Sequence, residues 1–263
     1  MMTIEWLCVF LWYAYQIKIL LLMIRNVRIK PILIFLKILE ALLVKKKHPF
    51  VIAIDGPAGS GKGAVSQKLS TKLNYHYLDS GAIYRVIAYA AKKKNIESVS
   101  VNSLIDLIAD SKIQFIGNNA WLNGKQISDV IRTELIGKFA SEIALHNKLR
   151  TALLDYQRSF CKLPGLVAEG RDMTSVVFPN ADLKIYLNAS VNERARRRYK
   201  QLISKGNDVI LTDLVLEISE RDSRDKDREV SPLIIVKEAW VLETDDLNEN
   251  QTVDKILSLL KKL

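Results

Sequence analysis

The chain has 263 residues, long enough to bury a full core, with 49% apolar and 26% charged residues and a formal net charge of +10. Two cysteines, Cys8 and Cys161, exclude a disulfide framework and point to a reducing, cytoplasmic compartment; three scattered histidines, His48, His76 and His146, suggest no metal site. The basic balance invites a nucleic-acid reading. Residues 1–47, however, hold eight Lys/Arg against Glu5 and Glu40, a surplus of six, so residues 48–263 carry only +4, which suits small anionic substrates instead.

The first 47 residues form an apolar, basic extension. Trp6 to Ile24 is broken only by Gln16 and Lys18, and Pro31 to Val44 only by Lys37 and Glu40. The first stretch is marginally long enough to span a bilayer, with Arg25, Arg28 and Lys30 then holding the rest of the chain on the cytoplasmic side. No basic region precedes it and no small-residue cleavage site follows, so a secretory signal is not expected. Three readings stay open: upstream sequence translated from a misplaced start codon, which is favoured, a membrane anchor or interfacial helix, and a structural extension. Met173 is the only methionine after Met23, so a start near residue 45 would need another codon.

Phe50 to Val65, FVIAIDGPAGSGKGAV, predicts a buried strand, a glycine-rich turn and the start of a helix. The spacing of Gly56, Gly61 and Lys62 fits the phosphate-binding loop pattern: glycines let the backbone approach a polyphosphate while helix N–H groups and a lysine face it. Where that pattern places Ser or Thr after the lysine for Mg²⁺, this chain has Gly63 and then Ala64.

Beyond the loop helix the pattern predicts a strand at Tyr75 to Leu78 and a helix from Ala82 to Lys94 with Ile83, Val86, Ile87 and Ala90 on one face. Arg85, one strand past the phosphate loop, favours a second anion site. Residues 97–164 read as an insert: strands at Lys112 to Ile116 and Ala120 to Leu122 with turns at Asn118-Asn119 and Asn123-Gly124, then helices at Glu134 to Leu145 and Lys148 to Cys161. Trp121, with no basic and aromatic interleaving around it, reads as packing.

Core-like strands return at Gly165 to Ala168 and Leu183 to Leu187. Arg194, Arg196, Arg197 and Arg198 then lie on a helix, where arginines on a mobile flap can neutralise a transferring phosphoryl group. A helix from Leu211 to Leu233, a strand at Ala239 to Glu243 and a closing helix from Thr252 to Leu263 complete the chain. Strand and helix alternate, so an α/β fold of three layers around a mainly parallel sheet is expected, with ligands outside the carboxyl ends of the strands.

The motifs AIDGPAGSGKG, LDSGAIYR, IRT, EGRDM, VVFP, ERARRR and ERDSRD, followed by VSPL, resemble bacterial cytidylate kinase, a P-loop nucleoside monophosphate kinase, over residues 50–263. The resemblance implies ATP-dependent phosphorylation of CMP and dCMP with Mg²⁺, by a monomer with a nucleotide-binding insert at 97–164 and a short lid at about 195–209. It implies that Gly56, Pro57, Ala58, Gly59, Ser60, Gly61, Lys62, Gly63 and Ala64 hold the ATP phosphates. Ser80 and Tyr84 would bind CMP, Arg85, Arg171 and Arg228 would grip its phosphate, Ser141, Arg150 and Asp172 would read cytosine, and Arg221 and Asp225 would lie at the ribose. Lys62 and Arg171 would serve the transfer, with Arg194, Arg197 and Arg198 as lid arginines. Two departures stand out. The family usually has Thr or Ser at Ala64, and Gly-Thr at Thr174-Ser175, where a residue other than glycine is strained if the backbone needs positive φ. They motivate an alternative, a nucleotide-binding sensor or scaffold of weakened catalysis. A GTPase switch finds no Asn-Lys-x-Asp motif.

Overall fold

The computed structural model describes residues 48–117, 119–204, 206 and 208–262. The readings of residues 1–47 fall outside them. Among the described residues no helix is long and apolar enough to cross a membrane.

The centre of the molecule is β1 (Phe50–Asp55), whose alternating side chains are buried on both faces. Val51 and Ala53 join one core, while Ile52 and Ile54 join another. A strand covered on both sides must be apolar nearly throughout, which is why this segment shows no polar alternation. On either side run β6 (Gly165–Gly170) and β7 (Leu183–Asn188), with β2 (His76–Asp79) and β8 (Trp240–Glu243) at the edges, in the order β2-β6-β1-β7-β8 and all parallel. The expected α/β layering is therefore present.

On one face α1 (Lys62–Leu73) and α8 (Glu249–Leu260) bury Val65, Leu69, Val253 and Ile256 against Ile52, Ile54 and Val167. The opposite face is covered by α2 (Ser80–Lys93), α3 (Val101–Ala109), α4 (Glu134–Ile143) and α5 (Asn147–Arg158), which share the larger core with Leu78, Leu166 and Ala168. In α4 the spacing of Ile136, Phe139, Ala140 and Ile143 puts all four on the buried face. Two further helices, α6 (Val191–Ile203) and α7 (Leu211–Asp227), pack on each other through Ala195, Leu202, Leu214 and Ile218.

The antiparallel sheet expected within residues 97–164 forms from β3 (Ile113–Ile116), β4 (Asn119–Leu122) and β5 (Lys125–Gln126). Asn123 and Gly124, both at positive φ, make the predicted two-residue turn. The preceding turn is shifted from its expected place: Asn119 already pairs with Ile116, and Gly117 takes the left-handed φ of 57°. Helix α3 was not foreseen, because Val99 and Val101 alternating with Ser98 and Ser100 mask the Leu104–Leu107 pair that it buries. Helix α7 ends at Asp227, well before the expected Leu233. Arg228 is extended, Ser231 has a φ of 51°, and Pro232 cannot continue a helix.

Parallel register aligns the strand ends. Asp55 stands beside Gly170 and Tyr186, and Asp79 beside Glu169. The glycine-rich loop, the start of α2 and the turn after β6 thus share one edge of the sheet.

Candidate active site

The loop from Gly56 to Gly61 is shaped by contacts that only glycine permits. A Cβ on Gly56 would lie 2.1 Å from the Leu187 carbonyl oxygen, and one on Gly59, at a φ of 77°, would lie 3.2 Å from the Cβ of Arg194. Lys62 opens α1, is buried, and donates from Nζ to the Pro57 carbonyl at 3.0 Å. The helix has no side-chain cap and no acidic residue in its first turn, and its first intrahelical bond runs from the Val65 N–H to the Gly61 carbonyl at 3.1 Å. Its leading N–H groups, Lys62 to Ala64, are therefore directed at any anion in the loop. Burial pushes the Lys62 ammonium below its ordinary pKa, and the Arg171 guanidinium adds to that, against Glu169. Ala64 brings no hydroxyl, but the hydroxyls of Ser60 and Ser66 are buried without a protein partner.

Beside Lys62 opens a cavity of about 190 Å³, and every residue that the resemblance assigned to CMP, from Ser80 to Arg228, lines it. Arg150 and Asp172 form a short, buried ion pair, with Arg150 also donating to the Ala144 carbonyl at 2.9 Å and standing 5.6 Å above the Tyr84 ring. Arg171 Nε donates to Asp225 at 2.7 Å, and Ser80 to Gln157 at 2.8 Å. Ser141 turns its hydroxyl back to the Gly137 carbonyl at 3.1 Å, and Arg85 bonds the carbonyls of Ile131 at 2.8 Å and Thr133 at 3.2 Å. Other donors are orphaned: Tyr84 OH, Arg150 Nε, Arg221 Nε and Arg228 Nη2 are buried without a partner. Arg221 is pushed down to about 10, by burial first and by Arg171 second. Buried donors without a protein partner at a crowded cationic wall are the chemistry that suits an anion.

Comparison with known proteins decides the family. The cytidylate kinase family matches residues 52–262. A cytidylate kinase of Nitrosomonas europaea is 46% identical over 214 residues, 81% of this chain and 96% of its own. Those of Polynucleobacter necessarius, 49% over 209 residues (80% and 97%), and Proteus mirabilis, 45% over 217 residues (81% and 96%), are equally alike. The chain belongs to the cytidylate kinase family. It is a kinase of P-loop fold.

Against the family pattern the structure adds partners that the sequence did not assign. Glu169, one residue before the end of β6, is almost fully buried, accepts the Tyr77 hydroxyl at 2.5 Å, and leaves so little room above Gly63 that a Cβ there would come within 3.1 Å of its Oε1. Burial first, and Asp79 second, hold the Glu169 carboxyl above the ordinary carboxylate range. Only its place in the EGRDM motif at a strand end signalled Glu169, and nothing signalled Tyr77.

None of the three arginines expected in a lid lines the cavity beside Lys62, and Arg194 is the most deeply buried of them. Its guanidinium is 3% exposed and fixed by Asp222 at 3.0 and 2.5 Å, the Ala189 carbonyl at 2.9 Å and the Ala58 carbonyl at 3.0 Å. That is a clamp holding the glycine loop to α6 and α7. Arg197 lies beside the loop, bonded to Glu193 at 2.9 Å and to the Thr244 carbonyl, with Nη1 at 3.5 Å from the Ser60 carbonyl. Arg198 points across the cleft toward Glu134, 3.9 Å away.

The anticipated strain at Thr174 is absent. Met173–Val177 is a single π turn, closed by Val177 N–H to Asp172 C=O at 3.1 Å and Phe178 N–H to Met173 C=O at 2.8 Å, and Thr174 lies in it at negative φ.

Proposed function

We propose that the chain transfers the γ-phosphoryl group of ATP to CMP and dCMP, giving CDP and dCDP. The observation that carries this is the cavity beside Lys62, where a buried Arg150–Asp172 pair adjoins the orphaned donors of Arg221 and Arg228. Cytosine presents an amino donor next to a ring acceptor, which a carboxylate and a guanidinium satisfy together. Uracil would set a carbonyl against Asp172, and an unpaired buried acceptor discriminates strongly.

Lys62 and the α1 N-terminus bind the ATP phosphates, while Arg85, Arg171 and Arg228 hold the CMP phosphate in line with them. Arg221 and Asp225 flank the ribose, and Ser141 supports the base. The attacking oxygen belongs to a phosphate, so no strong base is required; positioning and charge neutralisation in a site closed to water supply most of the rate. Residues 97–164 act as the nucleotide-binding insert and about 195–209 as the lid, with Arg197 and Arg198 its phosphate-facing cations and Arg194 the clamp beneath them.

Magnesium fits this site. Among the described residues no group of three or more His, Cys, Asp or Glu side chains gathers to hold a metal by itself, but the Glu169 carboxylate above Gly63 and the unpartnered Ser60 hydroxyl are oxygen donors of the kind Mg²⁺ takes through its retained waters. Bound with ATP, Mg²⁺ neutralises charge on the β- and γ-phosphates.

The test is ADP formation by the full chain with Mg²⁺ and ATP against CMP, dCMP, UMP, AMP and GMP. Turnover confined to CMP and dCMP is expected. ATP binding with no turnover of any acceptor would instead leave a nucleotide-binding sensor or scaffold.

A further inference from the structure

Asp55 is the last residue of β1, immediately before the glycine loop, and is fully buried. Its carboxylate faces the turn after β6. Oδ1 accepts the Met173 N–H at 2.9 Å, and Oδ2 accepts both the Thr174 N–H at 2.8 Å and the Thr174 hydroxyl at 2.6 Å. Thr174 is itself buried, so no water replaces this hydroxyl without rearrangement. Arg171 and Asp172 immediately precede the bonded residues, and the Asp172 carbonyl accepts the N–H groups of Val176 at 2.9 Å and Val177 at 3.1 Å, closing the turn on itself. The Asp55 side chain thus ties the root of the phosphate loop to the turn carrying Arg171 and Asp172.

A glycine at 174 would keep the two backbone bonds and lose the third, and would add backbone freedom exactly where two substrate-facing side chains depart; with threonine, Oδ2 is held from two directions. We propose that Thr174 is a positioning residue whose hydroxyl locks Asp55 to the Arg171–Asp172 turn, fixing the base-reading carboxylate relative to the phosphate loop. This deepens the CMP reading above and rests on it for its substrate readout.

The test compares wild type with Thr174→Val, Thr174→Ser and Thr174→Gly in the full chain. Removing the hydroxyl leaves a buried carboxylate oxygen short of a donor and frees the turn. We expect Thr174→Val to raise KM for CMP and to cut the CMP-over-UMP ratio of kcat/KM by about tenfold, with kcat changing less. Thr174→Ser restores both. A change in folded fraction alone would scale CMP and UMP rates together and leave that ratio untouched, so a folded Thr174→Val with wild-type ratio and KM overturns the proposal. Should Thr174→Val fail to fold, Thr174→Gly decides in the same way.

If the wild-type chain phosphorylates no nucleotide, the CMP reading fails by itself, and amide exchange of residues 173–177 still judges Thr174. Exchange about tenfold faster in Thr174→Val but not in Thr174→Ser sustains the lock, and equal rates overturn it.

Discussion

Tyr77 donates its hydroxyl to Glu169 Oε1 at 2.5 Å, across two adjacent parallel strands, β2 and β6, whose ends meet at the phosphate loop. The carboxylate is buried, and burial holds its pKa above the ordinary range, with the tyrosine bond pulling the other way. A carboxyl raised in the folded state stabilises the fold at low pH, and that contribution is lost as pH rises through the folded value. Tyr77→Phe removes a bond to the ionised form, so its destabilisation relative to wild type should grow from about pH 5 to about pH 8. Thermal melts at both ends check this, and an equal difference at the two would refute it.

Lys62 titrates in the opposite sense. Its ammonium is pushed below the ordinary lysine value by burial and by Arg171, and a polyphosphate in the loop would draw the proton back. ATP binding should therefore take up protons once the pH exceeds that depressed value, and affinity should fall as pH rises further. Calorimetry in two buffers of different ionisation enthalpy reads the uptake directly; heats independent of buffer would exclude it.

Lys62 and Arg171 both line the cavity, and on the proposed reading replacing either with alanine should lower turnover of CMP by roughly 100-fold. Initial rates of ADP formation suffice. Unchanged turnover in both variants would sink the site assignment.

Asp172→Asn keeps the shape of the side chain but exchanges a carboxylate acceptor for an amide donor where the proposed reading sets the cytosine. Preference for CMP over UMP should drop by about 10- to 100-fold, and the buried partner Arg150 would lose its counter-charge. An unaltered ratio of kcat/KM values counts against base reading by Asp172.

Arg194 should behave as a structural residue. Truncating it to alanine leaves Asp222 buried beside α6 without its partner, which typically destabilises by about 3–5 kcal/mol. Urea denaturation is the measurement, and wild-type stability in the variant would contradict the clamp.

Much of this architecture was legible because it depends on period and spacing. The doubly buried β1, the glycine spacing of Gly56 to Gly61 and the apolar stripe of α4 follow from side-chain geometry alone. The residues that the resemblance assigned to CMP line one cavity, and all but Ser141 and Arg150 lie in or beside the motifs that carry the resemblance. What could not be read were partners far apart in sequence. Four neighbouring arginines on one helix give no sign that Arg194 meets Asp222 on the next while Arg198 meets the cleft. Thr174 looked hazardous only under a guess about φ, a property of the π turn that its identity does not carry. Helix α3 escaped because its two buried leucines sit behind a run of valine and serine.

The orphaned donors around the cavity bear on how much of this protein's stability belongs to its substrates. Tyr84, Arg150, Arg221 and Arg228 each bury a donor with nothing to bind, and several like charges crowd one wall. An anion that satisfies them binds the folded chain and not the unfolded one, adding about 2.7 kcal/mol when present at a hundred times its dissociation constant. On the proposed reading that anion is a nucleotide, and the nucleotide pool around the chain becomes a component of its thermal tolerance.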